Sequence, residues 1–150
     1  MIIKIITRIT KKNKMNITLT QKYQFSAAHR LHSNFLDAEQ NIELYDKCNN
    51  VNGHGHDYTL YVSVKGKPDR KTGMIIPIDK FNDIVKHTLE KLDYKHLDKE
   101  VSHFKKEIST SENIIQFLWN SLEKDFIDVE LFHLKLWETN NNYFELGREQ

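Results

Sequence analysis

Hydrophobic and polar residues alternate along four segments of the chain. The alternation covers residues 17–29, 56–65 and 129–138, and it returns at 143–146 after a run of three asparagines. Successive side chains in a β-strand point to opposite faces of the sheet, so alternation is typical of a strand that is buried on one side. The pattern therefore predicts four half-buried strands.

The segments that follow the first two strands are less regular. Residues 66–73 contain Gly, Pro and Asp and predict a turn, after which residues 74–78 are expected to form a third short strand in a hairpin with 56–65. Residues 32–47 are polar, with a short helical turn expected over 39–45. A loop of this length inside a compact domain is often functional.

Two helices are predicted in the second half of the chain. Asp79 is expected to cap a helix over residues 80–92, and Ser109 to Glu112 form a capping-box pattern that opens a second helix. The polar segment Leu92–Asp98 connects them. Apolar residues recur at helical spacing in both, which predicts one buried face on each. These residues are Phe81, Ile84, Val85, Thr88, Leu89 and Leu92 in the first helix, and Ile114, Ile115, Leu118, Trp119 and Leu122 in the second.

The order of these elements defines the expected fold class. Strands come in runs with two helices inserted, which favours an α+β fold with an antiparallel β-sheet and two helices packed on one face. The chain of 150 residues is long enough for one domain with its own core. We assign this domain to residues 15–150, and residues 1–14 to a flexible or cleaved N-terminal extension.

Composition and charge narrow the classes of function. The 22 basic and 21 acidic residues nearly cancel, so charge gives no support for nucleic-acid binding. No apolar run reaches the roughly 18 residues of a membrane span. A single cysteine forms no internal disulfide and fits a reducing compartment. We therefore expect a cytoplasmic protein, with mitochondrial targeting by the basic and apolar residues 1–14 as the alternative.

One short segment concentrates residues that can bind a metal. Cys48 is followed, after five other residues, by His54 and His56, which share one face of a strand because they are two positions apart. His29 ends the neighbouring strand on the same apolar face. Three imidazoles with an open fourth position are the pattern of a catalytic zinc site. The alternative is that these histidines are ordinary core or surface residues.

The residues around this segment fit such a site. Gly53 and Gly55 have no Cβ, so backbone or a ligand can approach closely. Cys48 lies in a polar loop, where it is either a small buried side chain or a thiolate that acts as base or nucleophile. Glu138 follows the strand 129–137 and is either an exposed carboxylate or an acceptor for two N–H donors of a heterocycle.

The chain contains four motifs in a defined order: Phe25–Leu31, Cys48–His56 of the form C-x5-H-G-H, Ser109–Asn113 and Trp137–Asn142. In these motifs the chain resembles the 6-pyruvoyltetrahydropterin synthase family, and the resemblance extends from about Phe25 to the C-terminus. Four motifs in the right order are far more specific than an H-x-H pair alone.

The resemblance implies a fold, a quaternary structure and a reaction. The fold would be the tunnelling fold, in a homohexamer with active sites between subunits. The substrate would be 7,8-dihydroneopterin triphosphate, which loses triphosphate with an internal redox rearrangement in tetrahydrobiopterin biosynthesis. Zinc would be the cofactor; His29, His54 and His56 would hold it, and it would polarise the oxygens of the substrate side chain.

The resemblance also implies roles for residues outside the histidine cluster. Cys48 would move protons, and Glu138 would anchor the pterin ring. Thr110 and Glu112 would reach the substrate from a neighbouring subunit. Arg30 is a candidate for binding the triphosphate, because phosphate groups need cationic partners.

One position departs from the family pattern. The family connector reads Leu-Asp-His, and its Asp and His relay protons to the cysteine; here Asp93 is present, but Tyr94 replaces the histidine. His96, two residues further on, is predicted to take over this role. The alternatives are that Tyr94 serves as an acid, or that His96 is a solvated bystander.

Two other functions follow from these features. A catalytically weakened pterin-binding homologue would account for Tyr94. A 6-carboxytetrahydropterin synthase of the queuosine pathway would use the same substrate, but its cysteine is typically closer to the H-G-H sequence. The five-residue spacing in this chain favours the pyruvoyl enzyme.

Overall fold

The computed structural model describes residues 15–148, which form a five-stranded β-sheet and four α-helices. The strands are β1 (Ile17–His29), β2 (His54–Gly66), β3 (Lys95–His96), β4 (Glu130–Thr139) and β5 (Asn142–Gly147). The helices are α1 (Ala38–Tyr45), α2 (Ile78–Leu89), α3 (Leu97–Glu100) and α4 (Ser111–Asp125), and short 3₁₀ turns cover Asp46–Asn49 and Ser102–Lys105. The N-terminal extension expected for residues 1–14 lies outside the described residues.

The register of β1 and β2 positions the three candidate histidines. The strand order is β3-β1-β2-β4-β5, and β1 pairs with β2 along its full length of 13 residues. In this antiparallel pair His29 lies opposite His54, and Ala27 lies opposite His56. Because side chains alternate between faces, all three imidazoles emerge on the same face at one end of the sheet.

That face is the buried one, and it carries the core. Phe25 and Tyr58, which lie opposite each other on β1 and β2, stack with ring centroids 4.8 Å apart. Helices α2 and α4 cover the face, and burying each large apolar side chain contributes about 1.5–3 kcal/mol. The core residues they add are Phe81, Val85 and Leu89 from α2, and Ile114, Ile115, Leu118 and Leu122 from α4. The predicted α+β fold and the buried faces of both helices are confirmed.

The predicted strand over residues 74–78 is wrong. No strand forms there, and β2 instead pairs with β1 on one side and β4 on the other. Asp69 organises the preceding loop by accepting hydrogen bonds from the amides of Lys71 and Thr72 at 2.9 and 3.0 Å. Ile76 is buried in the core, so this apolar residue plugs the core from a loop and does not pair in the sheet.

The predicted helix starts are each displaced. Helix α2 begins at Ile78 after Pro77, so Asp79 lies inside the first turn, where a negative charge favours the helix dipole, and is not the cap. Helix α4 is capped by Thr110, whose hydroxyl accepts from the amide of Asn113 at 3.4 Å. The capping-box reading with Glu112 as the partner is therefore wrong, because Ser109 is engaged elsewhere.

The connector after α2 contains structure that the sequence did not predict. Lys95 and His96 form β3, which pairs in parallel with Ala27 and Ala28 of β1. The sheet is therefore mixed, although its four long strands are antiparallel as expected. Two residues give little periodicity, so local sequence cannot reveal such a strand. Between residues 15 and 148, none of the helices has the length and apolar character needed to cross a membrane.

Candidate metal centre

The three predicted histidines converge at the end of the β1–β2 pair. One nitrogen from each of His29, His54 and His56 lies within 4.8 Å of the others, and the Nε2 atoms of His29 and His54 are 3.0 Å apart. Nitrogens bound to one tetrahedral zinc are about 3.3 Å apart, since each lies about 2.0–2.1 Å from the ion. Only small side-chain shifts separate the observed spacing from a metal-binding one.

The tautomer of His29 also suits metal binding. Its ring is buried, and Nδ1 donates to the carbonyl oxygen of Ser109 at 2.6 Å. A histidine that donates from one ring nitrogen to a backbone carbonyl presents the lone pair of the other, which is the usual arrangement of a metal ligand. The Nε2 atom of His29 therefore points its lone pair into the cluster. Three neutral imidazoles form a donor set that fits zinc.

The electrostatics of the cluster favour the neutral forms of His29 and His54. Burial lowers the pKa of His29 below its usual range, although the Ser109 carbonyl and the Glu138 carboxylate oppose this. The pKa of His54 is also lowered, first by burial and then by the neighbouring His29 and His56. Metal ions compete with protons for these nitrogens, so a depressed pKa favours metal binding near neutral pH.

Glu138 lies beside the histidines and not on the open surface. Its Oε1 atom is 3.8 Å from Nε2 of His56 and 3.9 Å from Nε2 of His29, and its side chain is only 17% exposed. Asn142, at the start of β5, donates from Nδ2 to Oε2 at 2.8 Å and holds the carboxylate in place. The β4–β5 turn thus sets the orientation of the residue that was predicted to anchor a pterin ring.

Cys48 lies in the 3₁₀ turn Asp46–Asn49 and is partly exposed. Its carbonyl oxygen accepts a hydrogen bond from the amide of Leu31 at 2.9 Å, which ties the turn to the chain directly after β1. The metal-capable cluster found within residues 15–148 consists of the three histidines without this cysteine. A partly exposed thiol on a polar turn is poorly explained as core filling.

The altered connector separates Asp93, Tyr94 and His96. The Oδ1 atom of Asp93 accepts from the amide of Ser26 at 2.8 Å, whereas the side chain of Tyr94 is 86% exposed and its backbone φ is 56°. The ring of His96 is largely buried, and its Nδ1 lies 3.4 Å from Oδ2 of Asp98. The acidic group beside the ring of His96 is therefore Asp98, whereas Oε2 of Glu100 accepts from the backbone amide of His96 at 2.6 Å.

The remaining candidates take different positions. Arg30 donates from Nε to the carbonyl of Asn49 at 2.9 Å and from Nη2 to its side-chain oxygen at 3.1 Å, which fixes the guanidinium over the Cys48 turn. Thr110 caps α4, and Glu112 is exposed in the first turn of that helix. Neither joins the metal-capable cluster described for residues 15–148.

A cavity of about 510 Å³ lies next to the site on the side of Arg30. Its lining is rich in basic residues, with Glu107 and Asp98 as the acidic members. The basic residues are Arg30, Lys99, Lys105 and Lys106, and the imidazoles of His32 and His96 also line it. An excess of cationic side chains around a cavity of this size is suited to an anionic ligand.

Two residues that support the site were not singled out as functional by the sequence. The sequence places Asp98 in a polar connector, and Ser109 in a helix cap within the Ser109–Asn113 motif. The hydrogen bond from His29 to Ser109 spans 80 positions, and the one from the amide of Arg30 to Asp98 spans 68. Contacts at such separations leave no periodic signal in a single sequence.

The domain has an α+β fold, and its sheet brings three histidines and a carboxylate together at the end of two antiparallel strands. This arrangement defines a metal-capable enzyme domain. A model of the family "6-pyruvoyl tetrahydropterin synthase" matches residues 18–149. The chain belongs to this family, and the assignment made from its four motifs is confirmed, as is its identification as a lyase of that family.

Individual relatives agree with this assignment. The chain is 39% identical to human 6-pyruvoyl tetrahydrobiopterin synthase over 125 residues, which cover 83% of this chain and 86% of the human protein. It is 28% identical over 149 residues to the 6-carboxy-5,6,7,8-tetrahydropterin synthase of Rickettsia conorii, covering 87% of this chain and 99% of that protein.

The fold agrees as well. The structure of Caenorhabditis elegans 6-pyruvoyl tetrahydropterin synthase superimposes with a TM-score of 0.85 at 35% identity, covering 90% of this chain and 97% of that one. The tunnelling fold expected from the sequence is therefore confirmed.

Proposed function

We propose that this protein is a zinc-dependent 6-pyruvoyltetrahydropterin synthase that converts 7,8-dihydroneopterin triphosphate by eliminating triphosphate with an internal redox rearrangement. The observation that carries the proposal is the cluster of His29, His54 and His56 in a chain of this family, with His29 held in the tautomer that a metal needs. The 39% identity to the human enzyme supports this choice of reaction.

His29, His54 and His56 would hold the zinc ion. A zinc ion bound there supplies a Lewis acid that polarises the oxygens of the substrate side chain. The protein's own contribution is to orient the three imidazoles. Burial favours the neutral form of His29 and the Ser109 carbonyl holds its ring in place, whereas the strand register positions the other two histidines.

Cys48 is proposed to move protons to and from carbon during the rearrangement. Its position on a partly exposed turn tied to the end of β1 leaves the thiol accessible to a substrate, as a general base must be. Asp93 belongs to the same proposed relay. Its third member is proposed to be His96, whose ring is largely buried, in preference to the exposed Tyr94.

The two ends of the substrate are proposed to bind at opposite sides of the metal. Glu138 would accept N–H donors of the pterin ring, which is supported by its oriented, mostly buried carboxylate next to His29 and His56. Arg30 would bind phosphate oxygens, which is supported by its place in the wall of the basic cavity.

A homohexamer with active sites between subunits is proposed as the working form. In support, Glu112 and Tyr94 are exposed on the described surface, so one subunit could present them to the active site of its neighbour. Thr110 is fixed at the start of α4 and would act alongside Glu112. We propose a cytoplasmic location, which fits the single free cysteine.

The pyruvoyl enzyme is favoured over the 6-carboxytetrahydropterin synthase by two observations. Identity is higher to the human pyruvoyl enzyme than to the Rickettsia carboxy enzyme, 39% against 28%. The spacing C-x5-H-G-H is also longer than is typical of the carboxy enzymes. A catalytically weakened homologue is the other alternative, and Tyr94 is the residue that supports it.

Incubation of the zinc-loaded protein with 7,8-dihydroneopterin triphosphate distinguishes these functions. The expected result is release of inorganic triphosphate together with a product whose mass corresponds to 6-pyruvoyltetrahydropterin. A product with the mass of 6-carboxytetrahydropterin would identify the protein as a 6-carboxytetrahydropterin synthase. Tight pterin binding without triphosphate release would identify a binding homologue.

A further inference from the structure

We infer that Asp98 is a positioning residue of the metal centre, which acts through Ser109 and Arg30 on the ligand His29. The inference rests on the proposed role of the three histidines as metal ligands. It assigns a function to a carboxylate in α3 that takes no part in the proposed proton relay.

One side of this carboxylate controls the ring of His29. The Oδ1 atom of Asp98 accepts a hydrogen bond from the hydroxyl of Ser109 at 2.5 Å. The carbonyl oxygen of the same serine accepts from Nδ1 of His29 at 2.6 Å. Ser109 is fully buried, so it has little freedom to move if one of these bonds is lost. Ser109 therefore links the two residues, since its hydroxyl contacts the Asp98 carboxylate and its carbonyl contacts the His29 imidazole.

The other side controls the backbone that carries His29. The Oδ2 atom of Asp98 accepts from the amide of Arg30, the residue next to His29, at 2.6 Å. The hydroxyl of Ser109 also lies 3.5 Å from the carbonyl oxygen of Arg30. A single carboxylate therefore fixes both the strand end and the ring of His29, and it joins three segments of the chain at that point.

The hydrogen bonds of Asp98 and Ser109 reach His29 and neither of the other two histidines. His54 and His56 lie on β2 opposite His29 and Ala27 of β1, and the pairing of β2 with β4 begins only at Thr59. His29 is the last residue of β1, and the chain leaves the sheet after it. The contacts of Asp98 replace the strand pairing that ends there. Groups that orient metal ligands from outside typically change metal affinity by about 10–100-fold when removed.

The negative charge of Asp98 opposes the lowering of the pKa of His29 and His54, and the imidazole of His96 also faces this carboxylate, with Nδ1 at 3.4 Å from Oδ2. The His96 imidazole donates no hydrogen bond to the carboxylate within the described structure. The two short hydrogen bonds to Ser109 and Arg30 are therefore the contacts on which positioning depends, and these are the contacts that the test removes.

The test measures zinc affinity by competition with a chromogenic chelator in Asp98→Ala, Ser109→Ala and the double variant. Asp98→Ala is expected to weaken zinc binding by about 10–100-fold. Because the Ser109 hydroxyl acts through its bond to Asp98, the double variant is expected to lose little more than Asp98→Ala alone. Unchanged affinity in Asp98→Ala, or strictly additive losses in the double variant, would overturn the inference.

Two further variants separate positioning from general destabilisation. Asp69→Ala removes a carboxylate that also accepts several hydrogen bonds, but only within its own exposed loop, and it should leave zinc affinity unchanged. Asp98→Asn removes the charge but can keep bonds to Arg30 and Ser109, since a hydroxyl can both donate and accept. Asn should therefore retain more zinc affinity than Ala, and equal losses would assign the effect to charge and overturn positioning.

A readout that needs no metal keeps this inference separable from the proposed function. Two-bond proton–nitrogen NMR on the metal-free protein reports the tautomer of His29, which is expected to carry its proton on Nδ1. Asp98→Asn should keep this tautomer, and Ser109→Ala should yield a mixture. Failure of the parent protein to bind zinc would count against the proposed function, whereas an unaltered tautomer in Ser109→Ala would count against the inference alone.

Discussion

Nε2 of His96 lies so close to Gly53 that a Cβ atom at residue 53 would be only 2.6 Å from it. The same Cβ would be 2.9 Å from the carbonyl oxygen of His29, and the φ angle of Gly53 is +76°. Gly53, which directly precedes the H-G-H sequence, is thus enclosed by β1 on one side and β3 on the other. The close approach expected at the two glycines is real at Gly53, whereas a Cβ at Gly55 would make only an ordinary contact at 3.5 Å.

Gly53→Ala should therefore destabilise the protein more than Gly73→Ala. Gly73 has nearly the same φ of +72° but no atom within 4 Å of its would-be Cβ, so it isolates the cost of the left-handed backbone, about 1–2 kcal/mol. Gly53→Ala adds a clash with the backbone of a metal ligand. Urea unfolding of both variants measures the difference, and equal losses of unfolding free energy would show that the enclosure is loose.

Zinc should bind at about one ion per chain. Because His29, His54 and His56 present converging nitrogens, alanine at any one of them should remove most of the bound zinc. His87→Ala is the matched control, since this imidazole is 70% exposed on α2. Elemental analysis after dialysis measures the content. A metal-free preparation with full turnover would exclude the proposed role.

Cys48→Ala should abolish most turnover while zinc and pterin still bind. Removal of a general base typically costs about 10²–10⁴-fold in rate. The turn that carries Cys48 is held through its backbone carbonyl, so loss of the thiol should leave the fold intact. Single-turnover kinetics with a parallel zinc titration separates the two effects. Near-normal rates would show that Cys48 is only a structural residue of the turn.

Glu138→Ala should weaken pterin binding by roughly 1.5–3 kcal/mol, the usual contribution of hydrogen bonds to a charged group. The control is Glu145→Ala on β5, whose carboxylate faces His133 and Lys135 and is 46% exposed. Calorimetric titration with a pterin that lacks phosphates measures the pterin end alone. Equal affinities for the two variants would argue against an anchoring role.

His96→Ala should be nearly inactive if His96 replaces the relay histidine of the family. Tyr94→His on that background should then restore part of the activity, because it returns an imidazole to the family position next to Asp93. Tyrosine, with an unperturbed pKa of about 10, is a poor base near neutral pH. Steady-state rates of the parent and both variants decide the matter. If His96→Ala turns over like the parent, Tyr94 or water must serve as the donor.

Prediction from sequence succeeded where the signal was periodic and local. The alternation of β1 and β2 identified both strands and placed His29, His54 and His56 on one face, and the structure confirms that they converge. It failed at residues 74–78, where apolar residues enter the core from a loop. It also failed at β3, because two residues cannot show a period.

The long strands, the two main helices and the identity of the metal-capable histidines are predictable from sequence, because each follows from side-chain periodicity or from a compact motif. Which carboxylates support those histidines depends on the tertiary structure. Glu138 reaches them because the β4–β5 turn holds its side chain, and Asp98 meets Arg30 across 68 positions of sequence. Such contacts depend on how the sheet and helices pack together, and local sequence patterns do not predict the packing between distant segments.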